Sequence, residues 1–257
     1  MQVFVILPAA GLGTRMSSAY TAAGASEAGR QPPKQFLELG GVPILIHTLR
    51  AFAEVASVAA IYVAVRASEQ ARLIALVAEH GLAGRVQVVE GGDTRQQSVA
   101  NALRALPASI PVAGVEASED TDDIILVHDA VRPLISPALI ERTIEAVGRH
   151  GAAIVGLPAT DTIKQVERTA KGALITATIP REHIVQAQTP QGFRASLLRR
   201  AFAEAEADGF CGTDEASLVE RAGFPVAVVP GSLSNMKITQ PGDLELAEFF
   251  LARAGKN

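Results

Sequence analysis

Val3-Phe-Val-Ile-Leu-Pro-Ala-Ala-Gly-Leu-Gly-Thr-Arg15 is the stretch on which the fold turns. Five apolar residues in a row, 3–7, read as a strand buried on both faces, the pattern of a central strand in a parallel sheet. The small residues behind it, Pro8, Ala9, Ala10, Gly11 and Gly13, let backbone N–H groups approach a phosphate closely. The same glycines also suit a plain tight turn from strand to loop. A dinucleotide fingerprint needs glycine where Met16 stands, and the Walker lysine is missing, so Gly-x-Gly-x-Arg is a signature of its own.

Outward from this strand, short apolar runs alternate with segments of helical period. Strands are expected at 58–65, 86–89, 123–127, 152–157, 184–188 and 225–229. Helices are expected at 44–55, 69–80, 94–106, 137–149, 194–207, 214–222 and 242–253. This alternation predicts an α/β fold, with a mostly parallel (mixed) twisted sheet covered by helices on both faces. The rhythm breaks at 161–178, where two β-rich runs flank Arg168-Thr-Ala-Lys-Gly. That is a hairpin inserted into an α/β chain, an arm spanning about 159–183. It has no core of its own, so it is expected to pack on a second subunit. Residues 17–31 and 111–121 read as mobile loops, and 1–257 as one domain.

The 257 residues are 48% hydrophobic and 19% charged, enough apolar material for a full core, which excludes disorder for most of the chain. A net charge of -4 argues against a nucleic-acid or anionic-membrane partner. Cys211 is the single cysteine, so an intramolecular disulfide and a multi-cysteine zinc site are both excluded. The N-terminus has no basic region, Pro8 interrupts its apolar stretch, and no run reaches about 18 apolar residues. The expectation is a soluble cytoplasmic protein without a membrane segment.

Three further features carry chemistry. The chain uses five lysines against eighteen arginines, and two of the five sit in uncharged loop settings, Pro33-Lys34-Gln35 and Asn235-Met-Lys237. A compact ammonium with three donors suits a triphosphate, whereas chance solvated lysines are the plain reading. Gly91-Gly-Asp-Thr-Arg-Gln-Gln-Ser98 follows a strand and opens a helix. Asp93 is a suitable N-cap there. The functional reading sets a nucleobase against this segment, with backbone groups and the Ser98 hydroxyl reading its edges. In Ile124-Ile-Leu-Val-His-Asp-Ala-Val-Arg-Pro133 a buried strand ends in Asp129. That carboxylate binds Mg²⁺ or orients a ligand outside the strand ends, or else it closes the loop as an ion pair with Arg132. His128 reads as a packed histidine rather than a base.

With these motifs in order, Pro8-Ala-Ala-Gly-Leu-Gly-Thr-Arg-Met, Pro33-Lys-Gln, Gly91-Gly-Asp-Thr-Arg, Val127-His-Asp-Ala-Val-Arg-Pro, Ala159-Thr-Asp-Thr-Ile-Lys, Gln188-Thr-Pro-Gln, Thr213-Asp-Glu-Ala-Ser and Asn235-Met-Lys-Ile-Thr, the chain resembles the 2-C-methyl-D-erythritol 4-phosphate cytidylyltransferase family. The resemblance implies a Rossmann-like nucleotidyltransferase fold and a homodimer joined through the β-arm. It implies transfer of a cytidylyl group from CTP to methylerythritol phosphate, with Mg²⁺, in non-mevalonate isoprenoid synthesis. It places Pro8, Ala9, Ala10, Gly11 and Gly13 at the CTP phosphates, and Gly92, Asp93 and Ser98 at the cytidine. Asp129 and Ala130 fall in the nucleotide–metal region. Arg15, Lys34 and Lys237 become the catalytic cations. Arg132, Thr162, Arg181 and Thr189 surround the methylerythritol phosphate, with Thr162 and Arg181 serving the neighbouring subunit.

Residues 17–31 lengthen the gap between the Arg15 and Lys34 motifs beyond the family pattern, as an insertion without a role or as a lid over CTP. The nearest rival reading is a ribitol-5-phosphate cytidylyltransferase. More distant are a nucleotidyltransferase for another base and sugar phosphate, and a catalytically silent nucleotide-binding module. The joint presence of Arg15, Lys34 and Lys237 argues against silence. Met16, and the lack of an acidic residue on a second strand, disfavour a dehydrogenase.

Overall fold

The computed structural model describes residues 1–11, 33–107, 122–170 and 172–254. In chain order the elements are β1 (Val3–Pro8), β2 (Glu38–Leu39), β3 (Val42–Pro43), α1 (Ile44–Ala53), β4 (Val58–Val65), α2 (Ala67–Glu79), β5 (Val86–Glu90), α3 (Arg95–Ala105), β6 (Ile124–Val127), α4 (Pro137–His150), β7 (Ala152–Pro158), β8 (Ile163–Thr169), β9 (Gly172–Ile179), β10 (Val185–Arg194), α5 (Ala195–Ala207), α6 (Glu215–Arg221), β11 (Ala227–Pro230) and α7 (Pro241–Ala254).

The apolar run at 3–7 does form the central strand. The main sheet has the order β11-β7-β10-β6-β1-β4-β5, with β4 and β6 pairing parallel to β1 on either side. Among the described strands of this sheet only β10 runs against its neighbours, β6 and β7. Side chains alternate across a strand, so Val3, Val5 and Leu7 pack on one face with residues of α1, α2 and α4. Phe4 and Ile6 pack on the other with α3, α5 and α6. A small third cluster ties Ile238 and Ala247 to Leu39, Ile44 and Val131, and so docks the region before α7 onto the loop after β6.

From β1 the chain crosses to β4 on one side and later reaches β6 on the other. The loops leaving β1 and β6 therefore diverge and open a crevice at the carboxyl ends of the strands, where open α/β sheets bind ligands. The hairpin of β8 and β9 is antiparallel and stands outside the main sheet. Among the described residues no helix is long and apolar enough to cross a membrane.

Two local expectations are corrected. The strand expected to stop at residue 188 is β10, and it runs to Arg194. Pro190 and Gly192 hide it from pattern reading. Its ladder to β7 skips between Ala187 and Gln191, where the proline needs no partner, and resumes with pairing on both sides. Helix α3 is capped by Thr94, not Asp93. Thr94 and Gln97 form a reciprocal capping box one residue further on, which satisfies two orphan donors where Asp93 would satisfy one. The expected loops at 17–31 and 111–121 lie outside the described residues.

Candidate active site

Loops at the carboxyl ends of β1, β4, β5 and β6 line one cleft. Pro8, Ala9, Ala10 and Gly11 carry β1 into it. The Ala9 N–H donates to the Ala64 carbonyl at 2.8 Å, and the buried Gln35 amide donates to the Ala9 carbonyl at 2.7 Å. Gln35 belongs to a single 3₁₀ turn, Lys34–Phe36, whose Phe36 is buried in the core. Burial of one side of the turn sets Lys34 on the cleft wall. Gly92, Asp93, Thr94 and Arg95 form another wall. Its glycines answer a lack of space: a Cβ on Gly91 would lie 2.5 Å from the Ala10 Cβ, and one on Gly92 2.4 Å from the Gln97 Cβ.

The centre of charge is Asp129, buried at the end of β6. Its Oδ2 lies 3.0 Å from Lys237 Nζ and 3.2 Å from Arg132 Nε, and its Oδ1 lies 3.5 Å from Arg95 Nε. Burial alone would raise its pKa. Lys237, Arg95 and Arg132 outweigh that and hold the carboxyl well below the usual carboxylate range. Arg95 is also gripped by both oxygens of the buried Glu215, at 2.6 and 2.8 Å. Burial lowers the Arg95 pKa, but Glu215 and then Asp129 more than reverse it. Arg132 Nη1 donates to the Asn235 carbonyl at 2.7 Å, the Asn235 amide donates to the Thr189 carbonyl at 2.8 Å, and the Ile238 N–H donates to the Val131 carbonyl at 2.9 Å. These bonds bring Lys237 to Asp129 across the chain. Among the described lining residues, Lys34, Arg66, Arg95 and Lys237 face Asp93 and Asp129, an excess of positive charge suited to a polyphosphate.

A family model described as 2-C-methyl-D-erythritol 4-phosphate cytidylyltransferase matches residues 3–253. The chain belongs to that family. A relative of this name from Acidobacterium capsulatum is 70% identical over 251 residues, 98% of each chain. The solved structure of the cytidylyltransferase from Thermus thermophilus aligns with a TM-score of 0.70 at 35% identity, covering 98% of this chain and 100% of that one. A 4-diphosphocytidyl-2C-methyl-D-erythritol synthase from Anaerococcus prevotii aligns with a TM-score of 0.77 at 27% identity, covering 98% and 96%. The Rossmann-like nucleotidyltransferase fold expected from the sequence is thereby established.

Of the residues that the cytidylyltransferase resemblance selects, the structure gathers Pro8, Ala9, Ala10, Gly11, Lys34, Gly92, Asp93, Ser98, Asp129, Ala130 and Lys237 around the one cleft. Gly13 and Arg15 lie outside the described residues. Arg132 and Thr189 are buried beneath the cleft rather than on its wall. Arg132 is engaged with Asp129 and Asn235, and the Thr189 hydroxyl accepts the Asp129 N–H at 3.0 Å. Both hold Asp129 in place. Thr162 and Arg181 are exposed beside the arm and do not line this chain's cleft; Arg181 Nη1 donates to the Thr160 carbonyl at 2.6 Å. The motif reading gave no role to Gln35, Arg66, Arg95, Glu215 or Asn235. Arg95 and Glu215 lie inside quoted motifs, and their opposite charges were the available signal.

His128 is fully buried, edge-on to Phe52, with Nε2 at 3.2 Å from the Arg132 carbonyl and Nδ1 at 3.0 Å from the Thr189 hydroxyl. Burial pushes its pKa down to about 4, so it is neutral and structural, as expected. The unfolded chain then binds the extra proton between about pH 4 and 6.5. Stability from a neutral His128 is complete above pH 6.5 and drains away as pH falls to 4, a change of about 3 kcal/mol. Urea midpoints are expected to fall across that window and to flatten there in His128→Gln; an unchanged slope in the variant overturns this.

Asp129 was also the metal candidate. Among the described residues no three His, Cys, Asp or Glu side chains are grouped to hold an ion. Asp129 already faces three cations, so a divalent ion held by protein alone does not fit. Asp129 Oδ1 is the less engaged of the two oxygens and would be the protein ligand left to an ion carried on phosphate oxygens.

Proposed function

We propose that the protein transfers a cytidylyl group from CTP to 2-C-methyl-D-erythritol 4-phosphate, giving 4-diphosphocytidyl-2-C-methyl-D-erythritol and pyrophosphate, in non-mevalonate isoprenoid synthesis in the cytoplasm. The observation that carries this is a cation-lined cleft at the ends of β1 and β6 in a chain of the cytidylyltransferase family. An oxygen of the substrate phosphate attacks the α-phosphorus in line. The new P–O bond forms as the bond to pyrophosphate breaks. The attacking phosphate is already ionised near neutral pH, so no general base is required. Two anions have to meet, and catalysis is positioning and charge neutralisation. Lys34, Lys237 and Arg95 supply positive charge at the triphosphate, and the resemblance adds Arg15. A divalent cation such as Mg²⁺, where CTP brings one, would supply further charge neutralisation, with Asp129 as the carboxylate to meet it.

Pyrophosphate release with Mg²⁺ and CTP tests this, with methylerythritol phosphate and ribitol-5-phosphate side by side. Release with the former alone is expected. Release with ribitol-5-phosphate alone moves the protein to the alternative activity, and silence with both overturns the reading.

The arm is proposed to join two copies of the chain, so that Thr162 and Arg181 reach the partner's cleft. Support comes from Val166, Leu174 and Ile175, exposed on a two-stranded ribbon without a core. Ile175→Asp is expected to sediment as a monomer with reduced turnover. A dimeric Ile175→Asp protein overturns this arrangement.

A further inference from the structure

Arg66 is a cleft cation that neither the motifs nor the Asp129 network accounts for. It follows β4, and its Nε donates to the Ala10 carbonyl at 2.8 Å. Beside it the Gly91 N–H donates to the Val65 carbonyl at 2.7 Å. The guanidinium is thus pinned where the loop after β1 meets the loop after β5. Lys237 and Arg95 are gathered around Asp129, whereas this junction is built from Ala9, Ala10, Gly91, Gly92 and Ser98. These small residues leave room for a base beside Arg66, and the part around Lys34 and Lys237 suits phosphates.

Cytosine offers an amino donor at N4 and two adjacent acceptors, N3 and O2. Its acceptors need donors, and most donors at this wall are engaged. The Ala9 N–H binds the Ala64 carbonyl, and the Gly91 N–H binds the Val65 carbonyl. The Gly92 N–H donates to Ser98 Oγ at 3.1 Å, and the Ser98 hydroxyl donates to the Thr94 carbonyl at 2.9 Å. The Thr94 N–H donates to Gln97 Oε1 at 3.0 Å. Arg66 has only its Nε bond among the described residues, leaving both Nη groups for a ligand. A planar fork matches two adjacent acceptors, as a lone ammonium does not.

We propose that Arg66 reads the nucleobase, donating from its Nη groups to cytosine N3 and O2. The inference rests on the CTP reading above and adds its specificity. Uracil carries an N–H at position 3, which would oppose a guanidinium donor, so Arg66 selects CTP against UTP.

The test compares wild type with Arg66→Gln, with CTP and UTP as substrates and UTP also as a competitor of CTP. Arg66 is exposed, so the core is untouched. The preference for CTP over UTP is expected to fall roughly tenfold or more, through a lower kcat/KM for CTP while UTP is affected less. An equal loss for both nucleotides, or an unaltered preference, overturns the proposal and leaves the guanidinium a phosphate contact or a loop anchor. Should Arg66→Gln fail to fold, Arg66→Lys keeps the charge, loses the fork, and is judged by the same ratio. Wild-type protein inactive with CTP refutes the CTP reading itself. Wild-type activity with CTP and an unaltered preference in the variant refutes the role of Arg66 alone.

Discussion

Alanine at Lys237 is expected to lower kcat roughly a hundred- to a thousand-fold with the fold intact, the usual cost of removing one preorganised donor from developing charge. Lys237 Nζ is 3.0 Å from Asp129 Oδ2, and its side chain is 33% exposed on the cleft wall. Asp129 fixes the ammonium without burying it, so donors remain for phosphate. The variant leaves Asp129 paired with Arg95 and Arg132. The loss of stability should stay near 1 kcal/mol, as for a partly exposed ion pair. Steady-state pyrophosphate release and a thermal melt on the same sample separate the two effects. A kcat within a factor of a few of wild type removes Lys237 from the chemistry.

Asp129→Ala should be far more damaging to the fold. It leaves Arg95, Arg132 and Lys237 around an empty site, and breaking a buried ionic network from one side costs about 3–5 kcal/mol. Turnover should be lost with it, since Asp129 is the carboxylate that fixes Lys237 in the cleft. Asp129→Asn keeps the volume and should recover part of the stability but little activity. The pH sign follows from the depressed carboxyl. Its contribution is complete above the unfolded value of about 3.9 and is lost only as pH falls below that. The deficit of Asp129→Ala should therefore be constant from pH 5 to 8 in urea melts, superimposed on the slope from His128. A wild-type midpoint in Asp129→Ala would show that these charges do not depend on one another.

Some of the site was legible in contiguous motifs. Pro8 to Gly11, Lys34, Gly92, Asp93, Asp129 and Lys237 each stood in a short recognisable run, and all meet in the cleft. The orientation of the polar side chains was not legible. Arg132 and Thr189 are expected around the substrate phosphate, and the fold engages both with Asp129. Ser98 is expected at the base, and the fold engages its hydroxyl with the loop that it closes. Arg66 stood in no motif at all, because a single arginine after a strand resembles any surface charge until the loop after β1 packs against it.

What the sequence determined by itself is the alternation of strands and helices, β1 as the central strand, the hairpin arm and membership of the cytidylyltransferase family. Those rest on local periodicity and on motifs whose residues are neighbours along the chain. The tertiary structure decided which charges share a partner and which donors remain available to a ligand. Asp129, Lys237, Arg95 and Glu215 come from four separate segments, and one carboxylate gathers three cations only once the sheet has set those segments side by side. Engagement of a buried polar group is a matter of a few ångströms between distant residues, and spacing along the chain carries no record of it.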